Sequence, residues 1–125
     1  MQVRKCKFMG LTYVEGRLIG KDDTSEWVNF LVDSGANYTL LPKAVWEKLN
    51  LQPKKTLTFT LADGTNIKRD VSECRIEILN EDFHTPVILG EEGDEPLLGV
   101  VTLEILGVVL NPFNRTLQPM QLRLA

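Results

Sequence analysis

The chain has 125 residues, of which 43% are hydrophobic, and its 14 basic and 17 acidic residues give a formal net charge of −3 at pH 7. This length suits one domain with a single core, which excludes an enzyme with separate cofactor and substrate domains in one chain. The slight acidity gives no electrostatic reason to expect a nucleic acid or an anionic membrane as a partner. We therefore predict a single domain over residues 1–125.

Strands alternate with turns along most of the chain. Strands are predicted at residues 11–19 and 27–32, joined by a polar loop. The Asp63-Gly64 pair between two alternating segments predicts a hairpin with a type I′ turn, in which both central residues have positive φ. The remaining predicted strands are residues 57–61, a return strand from residue 66, residues 73–79 and 85–89 with a turn at 80–82, and residues 108–110.

Two short helices are predicted among these strands. Pro42 suits the first position of a helix, and apolar residues recur on one face of the turns that follow. The second helix is expected at Val100–Leu106 and is closed by Gly107 in a left-handed conformation. The pattern is that of a mainly β domain with two minor helices.

The cysteines and the apolar segments bear on compartment and cofactors. Cys6 and Cys74 have neither the number nor the spacing of a disulfide framework or, with the single histidine, of a zinc site. No signal peptide is visible in residues 1–7. The longest apolar stretch, residues 96–110, contains Glu104 and is shorter than a membrane span of about 20 residues. We expect a cytoplasmic protein without a metal, a cofactor or a membrane partner.

Asp33 is the strongest candidate for chemistry. It directly follows the apolar residues 30–32, where an ionised carboxylate is costly to bury unless it is hydrogen-bonded. Ser34 supplies a hydroxyl group beside it, and Gly35 allows backbone amides to approach closely. The simpler interpretation is a strand followed by a turn, since these residue types are common in turns. The apolar segment that begins at Thr39 disfavours it, because the turn then has core on both sides.

Three segments in this order resemble a known family. They are FLVDSGANYTLLP at residues 30–42, LADGT at 61–65 and PLLG at 96–99, followed by a short helix and VVL. Alone, the last segment indicates little more than a bend before a helix. Together they resemble the retropepsin-like aspartic proteases, with the small single-domain prokaryotic members most similar, and the resemblance extends from about residue 10 to residue 117.

The resemblance implies a mainly β, single-domain, retropepsin-like acid-protease half-barrel with a flap hairpin and two short helices. It makes Asp33 the catalytic carboxylate. The residues that would support the site are Ser34, Gly35, Ala36, Thr39, Leu97, Leu98 and Gly99, and the substrate-binding flap would comprise Ala62, Asp63, Gly64 and Thr65. Ser34 replaces the commoner threonine, and Asp63 departs from the glycine-rich flaps of the viral enzymes, which leaves the substrate preference open.

The number of suitable aspartates bears on the assembly. Aspartic-protease chemistry needs two carboxyl groups facing one water, because two close carboxylates cannot both ionise easily and one retains a proton. Only Asp33 has the required context, since the other aspartates lie in polar loops, turns or exposed strand positions. The resemblance therefore implies a homodimeric endopeptidase that uses Asp33 twice and cuts peptides or unfolded proteins. The alternative is a catalytically silent peptide-binding or dimerisation module on the same fold.

Other polar residues have simpler interpretations. His84 is expected at the surface, and the acidic residues of 91–95 lack the ligand spacing of a calcium-binding loop. Residues 1–8 and 120–125 alternate as edge strands do. They either interleave at a dimer interface or pack within one subunit.

Overall fold

A computed structural model of the chain describes residues 3–5, 12–111, 113–121 and 124. Within these residues, strands are the main element, and two short helices and a 3-10 turn at Lys21–Asp23 interrupt them. The elements are β1 (Val3–Lys5), β2 (Thr12–Ile19), β3 (Ser25–Val32), β4 (Thr39–Leu41), α1 (Lys43–Lys48), β5 (Lys55–Thr60), β6 (Asn66–Ile78), β7 (Glu81–Leu89), β8 (Leu97–Leu98), α2 (Val100–Leu106), β9 (Val108–Asn111) and β10 (Thr116–Pro119).

Eight strands form one curled sheet in the order β1-β2-β3-β8-β4-β7-β6-β5. The sheet closes on itself because β2 pairs with β3 on one side and with β6 on the other. Strands β9 and β10 form a separate two-stranded sheet. Two parallel pairings, β3 with β8 and β4 with β7, bring together segments that are far apart in the sequence.

The core lies inside this curled sheet. Side chains along β2 alternate between buried and more exposed positions, as the period of two in the sequence predicts. Val14, Leu18 and Phe30 are completely buried. The full set of buried hydrophobic residues is Val14, Leu18, Val28, Phe30, Val32, Leu41, Leu49, Leu51, Val71, Cys74, Ile76, Ile78, Val87, Leu89, Leu98, Leu103 and Leu106.

The mainly β architecture with two short helices confirms the predicted fold class. Helix α2 has the predicted bounds, and Gly107 ends it with a φ of 71°. The prediction for Pro42 is wrong by one residue. Pro42 is the N-cap of α1, because its ψ of 155° is extended, and the helix begins at Lys43.

The turn predicted at Asp63-Gly64 is wrong in type. Gly64 has a φ of 87°, whereas Asp63 is absent from the residues with positive φ. The Leu61 carbonyl accepts the Gly64 amide at 2.9 Å, and the Leu61 amide donates to the Thr65 carbonyl at 2.7 Å. This is the pattern of a three-residue loop closed by a left-handed glycine.

The type I′ conformation occurs instead at the turn between β6 and β7. Leu79 and Asn80 both have positive φ, 54° and 62°. Strand β6 is continuous over 13 residues, so the separate strand predicted at 73–79 is its second half. The turn predicted at 80–82 is therefore wrong, since Glu81 and Asp82 belong to β7.

The described parts of the chain ends pair within the same chain. β1 lies antiparallel to β2, and β10 lies antiparallel to β9. The Met120 amide donates to the Gly107 carbonyl at 2.7 Å. Cys6, residues 7–11 and residues 122–123 lie outside the described residues, as do positions 1, 2, 112 and 125. None of the described helices is long and apolar enough to cross a membrane.

Candidate active site

Asp33 follows the last residue of β3 and is half-buried. Its amide donates to the Leu98 carbonyl at 3.0 Å, which extends the parallel pairing of Val32 with Leu98 by one further bond. The backbone that carries the carboxylate is thereby fixed to β8. This arrangement brings the predicted Leu97-Leu98 segment next to Asp33.

The turn after Asp33 orients its side chain. The Gly35 amide donates to Asp33 Oδ1 at 2.9 Å, and the Ala36 amide donates to the Asp33 carbonyl at 3.2 Å. A Cβ atom added to Gly35 would lie 3.2 Å from Asp33 Oδ1, closer than most Cβ contacts. The turn thus leaves room for a carboxylate and supplies a backbone donor that orients it.

Gly99 allows the start of α2 to pack directly against the segment after Asp33. A Cβ atom at this position would lie 2.5 Å from the carbonyl carbon of Tyr38. Because this is a backbone atom, a change of side-chain rotamer cannot relieve the clash. The Val100 and Val101 amides donate to the carbonyls of Ala36 and Asn37 at 2.8 and 2.9 Å. The first amides of a helix have no partner within the helix, and here two of them are satisfied by the segment after Asp33. These bonds join α2 to the turn.

Three buried threonine hydroxyl groups form a chain behind this turn. Thr102 Oγ1 lies 2.6 Å from Thr39 Oγ1 and 2.7 Å from Thr85 Oγ1. The Gly99 amide donates to Thr39 Oγ1 at 3.1 Å. Thr39 was predicted to support the site, whereas Thr85 and Thr102 were missed. The sequence signal for each was a hydroxyl residue among apolar ones, Thr85 in the predicted strand 85–89 and Thr102 in the predicted helix.

The hairpin formed by β5 and β6 contacts the segment that follows Asp33. The rings of Tyr38 and Phe59 meet edge to face, with centroids 6.0 Å apart and an interplanar angle of 87°. The tip of the hairpin, which contains the predicted residues Ala62, Asp63, Gly64 and Thr65, is exposed. Hydrogen bonds from the Thr65 side chain and amide hold the pKa of Asp63 below its ordinary value, so the tip is negatively charged at neutral pH.

Other aspartates are held by local partners. Asp70 accepts from Thr56 at 2.9 Å, Asp82 accepts from Arg75 at 2.7 Å, and Asp94 accepts from the Glu91 amide at 2.7 Å. Among the described residues, Asp33 has no hydrogen bond to a second carboxyl group of the same chain. One chain therefore presents one carboxylate at this turn.

Ser34 is exposed next to Asp33. Its hydroxyl group has no hydrogen-bond partner among the described residues of the chain. His84 is exposed on β7, as predicted. The described residues contain no group of three or more His, Cys, Asp or Glu side chains arranged to hold a metal ion.

Two solved structures share this fold. The chain is 21% identical to the protease of Simian Foamy Virus (mac), whose solution structure matches with a TM-score of 0.55 over 75% of this chain and 93% of that one. It is 18% identical to EIAV protease in complex with the inhibitor HBY-793, with a TM-score of 0.60 over 83% of this chain and 95% of that one. The fold is that of the retroviral proteases.

The sequence comparison gives the family. A family model described as gag-polyprotein putative aspartyl protease matches residues 23–104, a range that includes Asp33, the β5–β6 hairpin and β8. The chain belongs to this family of aspartic proteases, which confirms the resemblance found in the sequence. No curated protein sequence matches the chain.

Proposed function

We propose that the protein is an aspartic endopeptidase that acts as a homodimer and cuts peptides or unfolded proteins. One observation carries the proposal: Asp33 lies at the end of β3 with its carboxylate oriented by the Gly35 amide and its backbone fixed to β8. A half-exposed carboxylate that a backbone amide orients is accessible to a substrate and held in place, as a reacting group has to be. The family and the fold support the same chemistry.

The chemistry requires a second carboxyl group, and a second copy of the chain supplies it in this proposal. Two close Asp33 side chains share one proton, because two negative charges at this distance repel. The ionised member takes a proton from a water molecule, which attacks the peptide carbonyl. The protonated member donates a hydrogen bond to the developing oxyanion, and a proton then passes to the leaving amine.

The remaining predicted residues have supporting roles. Gly35, Ala36, Thr39, Leu97, Leu98 and Gly99 hold the turn, and Ser34 presents its exposed hydroxyl group beside Asp33. The flap residues Ala62, Asp63, Gly64 and Thr65 cover an extended peptide in the cleft. The negative charge at Asp63 favours substrates without acidic residues beneath the flap. The cytoplasmic location is also a prediction, in keeping with the free thiol of Cys74 in the core.

The Asp33→Asn variant tests the proposal. Replacing the carboxyl group by an amide removes both the base and the acid of the dyad, so we expect cleavage of a peptide library at mildly acidic pH to fall to background. Asp23→Asn is the matched control, because Asp23 is exposed in the 3-10 turn and its replacement leaves the rate unchanged.

Circular dichroism and sedimentation check that the fold and the assembly of Asp33→Asn are unaltered. Cleavage by this variant at the wild-type rate would show that the carboxylate is not catalytic. Tight retention of peptides by the wild type without turnover at any pH would instead identify a catalytically silent binding module.

A further inference from the structure

The β5–β6 hairpin projects from the main sheet beyond Val71. Strand β6 pairs with β7 from Ile78 as far as Val71, whose partner is Ile88. Among the described residues, residues 66–70 of β6 pair with β5 and with no other strand. The position of this projecting part relative to the rest of the domain therefore depends on side-chain contacts as well as on the course of β6.

One face of the projecting hairpin is half-buried, and the other is exposed. Leu57 is directly opposite Arg69, and Phe59 is directly opposite Ile67. These four half-buried side chains share a face, because directly opposite residues project to the same side and the side chains of a strand alternate. Phe59 contacts the Tyr38 ring, so this inner face is turned toward the segment that carries Tyr38. Arg69 is thus a cation beside three apolar residues of the inner face.

The Arg69 guanidinium group has a carboxylate partner in the loop between β7 and β8. Its Nη2 atom lies 3.4 Å from Glu91 Oε1, and its Nη1 atom donates to the Lys68 carbonyl at 2.9 Å. The Arg69 side chain is 29% exposed and that of Glu91 is 69% exposed. An ion pair this accessible to water adds little to the free energy of unfolding. We therefore expect its effect on the position of the hairpin rather than on the stability of the domain.

The loop that carries Glu91 is fixed at both of its ends by backbone hydrogen bonds. At the first end, the Gly90 amide donates to the Leu41 carbonyl at 2.8 Å. At the other end, the Leu31 amide donates to the Pro96 carbonyl at 3.0 Å. Strand β8, which holds the backbone of the candidate catalytic residue, follows directly. The loop therefore connects the ion pair to the element that positions the active-site turn.

We propose that the Arg69–Glu91 ion pair is a positioning contact that holds the β5–β6 hairpin toward the Asp33 turn. The contact between Tyr38 and Phe59 acts near the tip of the hairpin, and the ion pair acts near its base. Two separated contacts resist rotation of the hairpin about the point where it leaves the sheet. The consequence for cleavage rests on the proposed function, whereas the position of the hairpin does not.

The ring contact reports the position of the hairpin without a substrate. Because the ring centroids of Tyr38 and Phe59 are 6.0 Å apart, we expect a nuclear Overhauser cross-peak between their protons. Arg69→Glu places two negative charges next to each other, so we expect this cross-peak to weaken about twofold or more. Lys68→Glu is the matched control, since it makes the same change of charge at an exposed neighbouring residue, and it leaves the cross-peak unchanged.

Exchanging the two charges tests the pair itself. Glu91→Arg alone weakens the cross-peak as Arg69→Glu does, and the double variant restores it because the two charges again attract. Glu92→Arg, at an exposed residue of the same loop, is the control for Glu91→Arg. Glu91→Gln removes the charge with little change of shape, and it provides the readout if a reversed charge prevents folding.

Peptide cleavage measures the consequence for substrate binding. We expect Arg69→Glu to raise KM about threefold with a smaller effect on kcat, because a smaller fraction of the protein has the hairpin in place to receive the peptide. The double variant returns KM to the wild-type value. Lys68→Glu leaves both parameters unchanged.

Three results would overturn the proposal. They are an unchanged cross-peak in Arg69→Glu or Glu91→Gln, an equal loss in Lys68→Glu, and a double variant that does not restore the cross-peak. A weakened cross-peak with an unchanged KM would overturn the consequence for substrate binding. The cross-peak is measured without cleavage, so a failure here is distinguishable from a failure of the protease assignment, which Asp33→Asn tests.

Discussion

The Asp33 carboxylate is oriented by groups that belong to the backbone. The Gly35 amide binds one of its oxygens, and the Leu98 carbonyl holds its own amide. Behind the turn, Thr39 Oγ1 accepts a hydrogen bond from the Gly99 amide and is hydrogen-bonded to Thr102 Oγ1. Buried hydroxyl groups are costly to leave without partners, so this chain of hydroxyls fixes the position of the turn relative to α2.

We predict the effect of removing the central hydroxyl group of this chain, that of Thr102. Thr102→Val keeps the shape of the side chain but leaves the Thr39 and Thr85 hydroxyls short of a partner, which costs about 1–3 kcal/mol of unfolding free energy. The control Thr102→Ser keeps the hydroxyl and loses a methyl group, at a cost of about 1 kcal/mol. Urea unfolding measures both variants. Equal stability of the valine variant and the wild type would contradict a stabilising role for the hydroxyl chain.

Among the elements, those with strong local signals were predictable from the sequence. Helix α2 begins after one glycine and ends at another, and both bounds were predicted. The β6–β7 turn was misplaced because Leu79, an apolar residue, adopts the left-handed conformation that glycine and asparagine prefer. The contacts of Thr102 with Thr39 and Thr85 span 63 and 17 residues, a relation that no local pattern contains.

One aromatic contact joins the β5–β6 hairpin to the segment that follows Asp33. Tyr38 and Phe59 meet edge to face, and such pairs contribute about 0.5–1.5 kcal/mol beyond their buried area. Because Phe59 is near the tip of the hairpin and Tyr38 follows the Asp33 turn, the contact links the hairpin to the segment after that turn.

We predict that Phe59→Ala raises the KM for peptide cleavage about fivefold, the equivalent of about 1 kcal/mol, with a smaller effect on kcat. Leu57→Ala is the matched control, since Leu57 is half-buried on the same face of β5. Steady-state kinetics with one peptide substrate separates the two parameters. An unchanged KM for Phe59→Ala, or an equal rise for Leu57→Ala, would show that the ring contact does not position the flap.

For the whole molecule, the proposed chemistry lies at one end of β3. The Asp33 turn at that end presents a single carboxylate, so in this proposal a second copy of the chain supplies the other one. The sequence was sufficient to identify the family, because the three motifs are short and local. The pairing of β2 with both β3 and β6 was not predicted, since it joins segments that meet only when the sheet closes.

Mixing active and inactive subunits tests the central claim most directly. Wild-type protein and Asp33→Asn are refolded together in equal amounts at a fixed total concentration, and peptide cleavage is measured. If both carboxyl groups of a dyad come from different copies, only wild-type pairs are active and the rate falls to about one quarter of that of the wild type. A mixture with Asp23→Asn controls for refolding and is expected to retain the full rate. A rate of about one half in the Asp33→Asn mixture would mean that each chain is active by itself, which would contradict a shared active site.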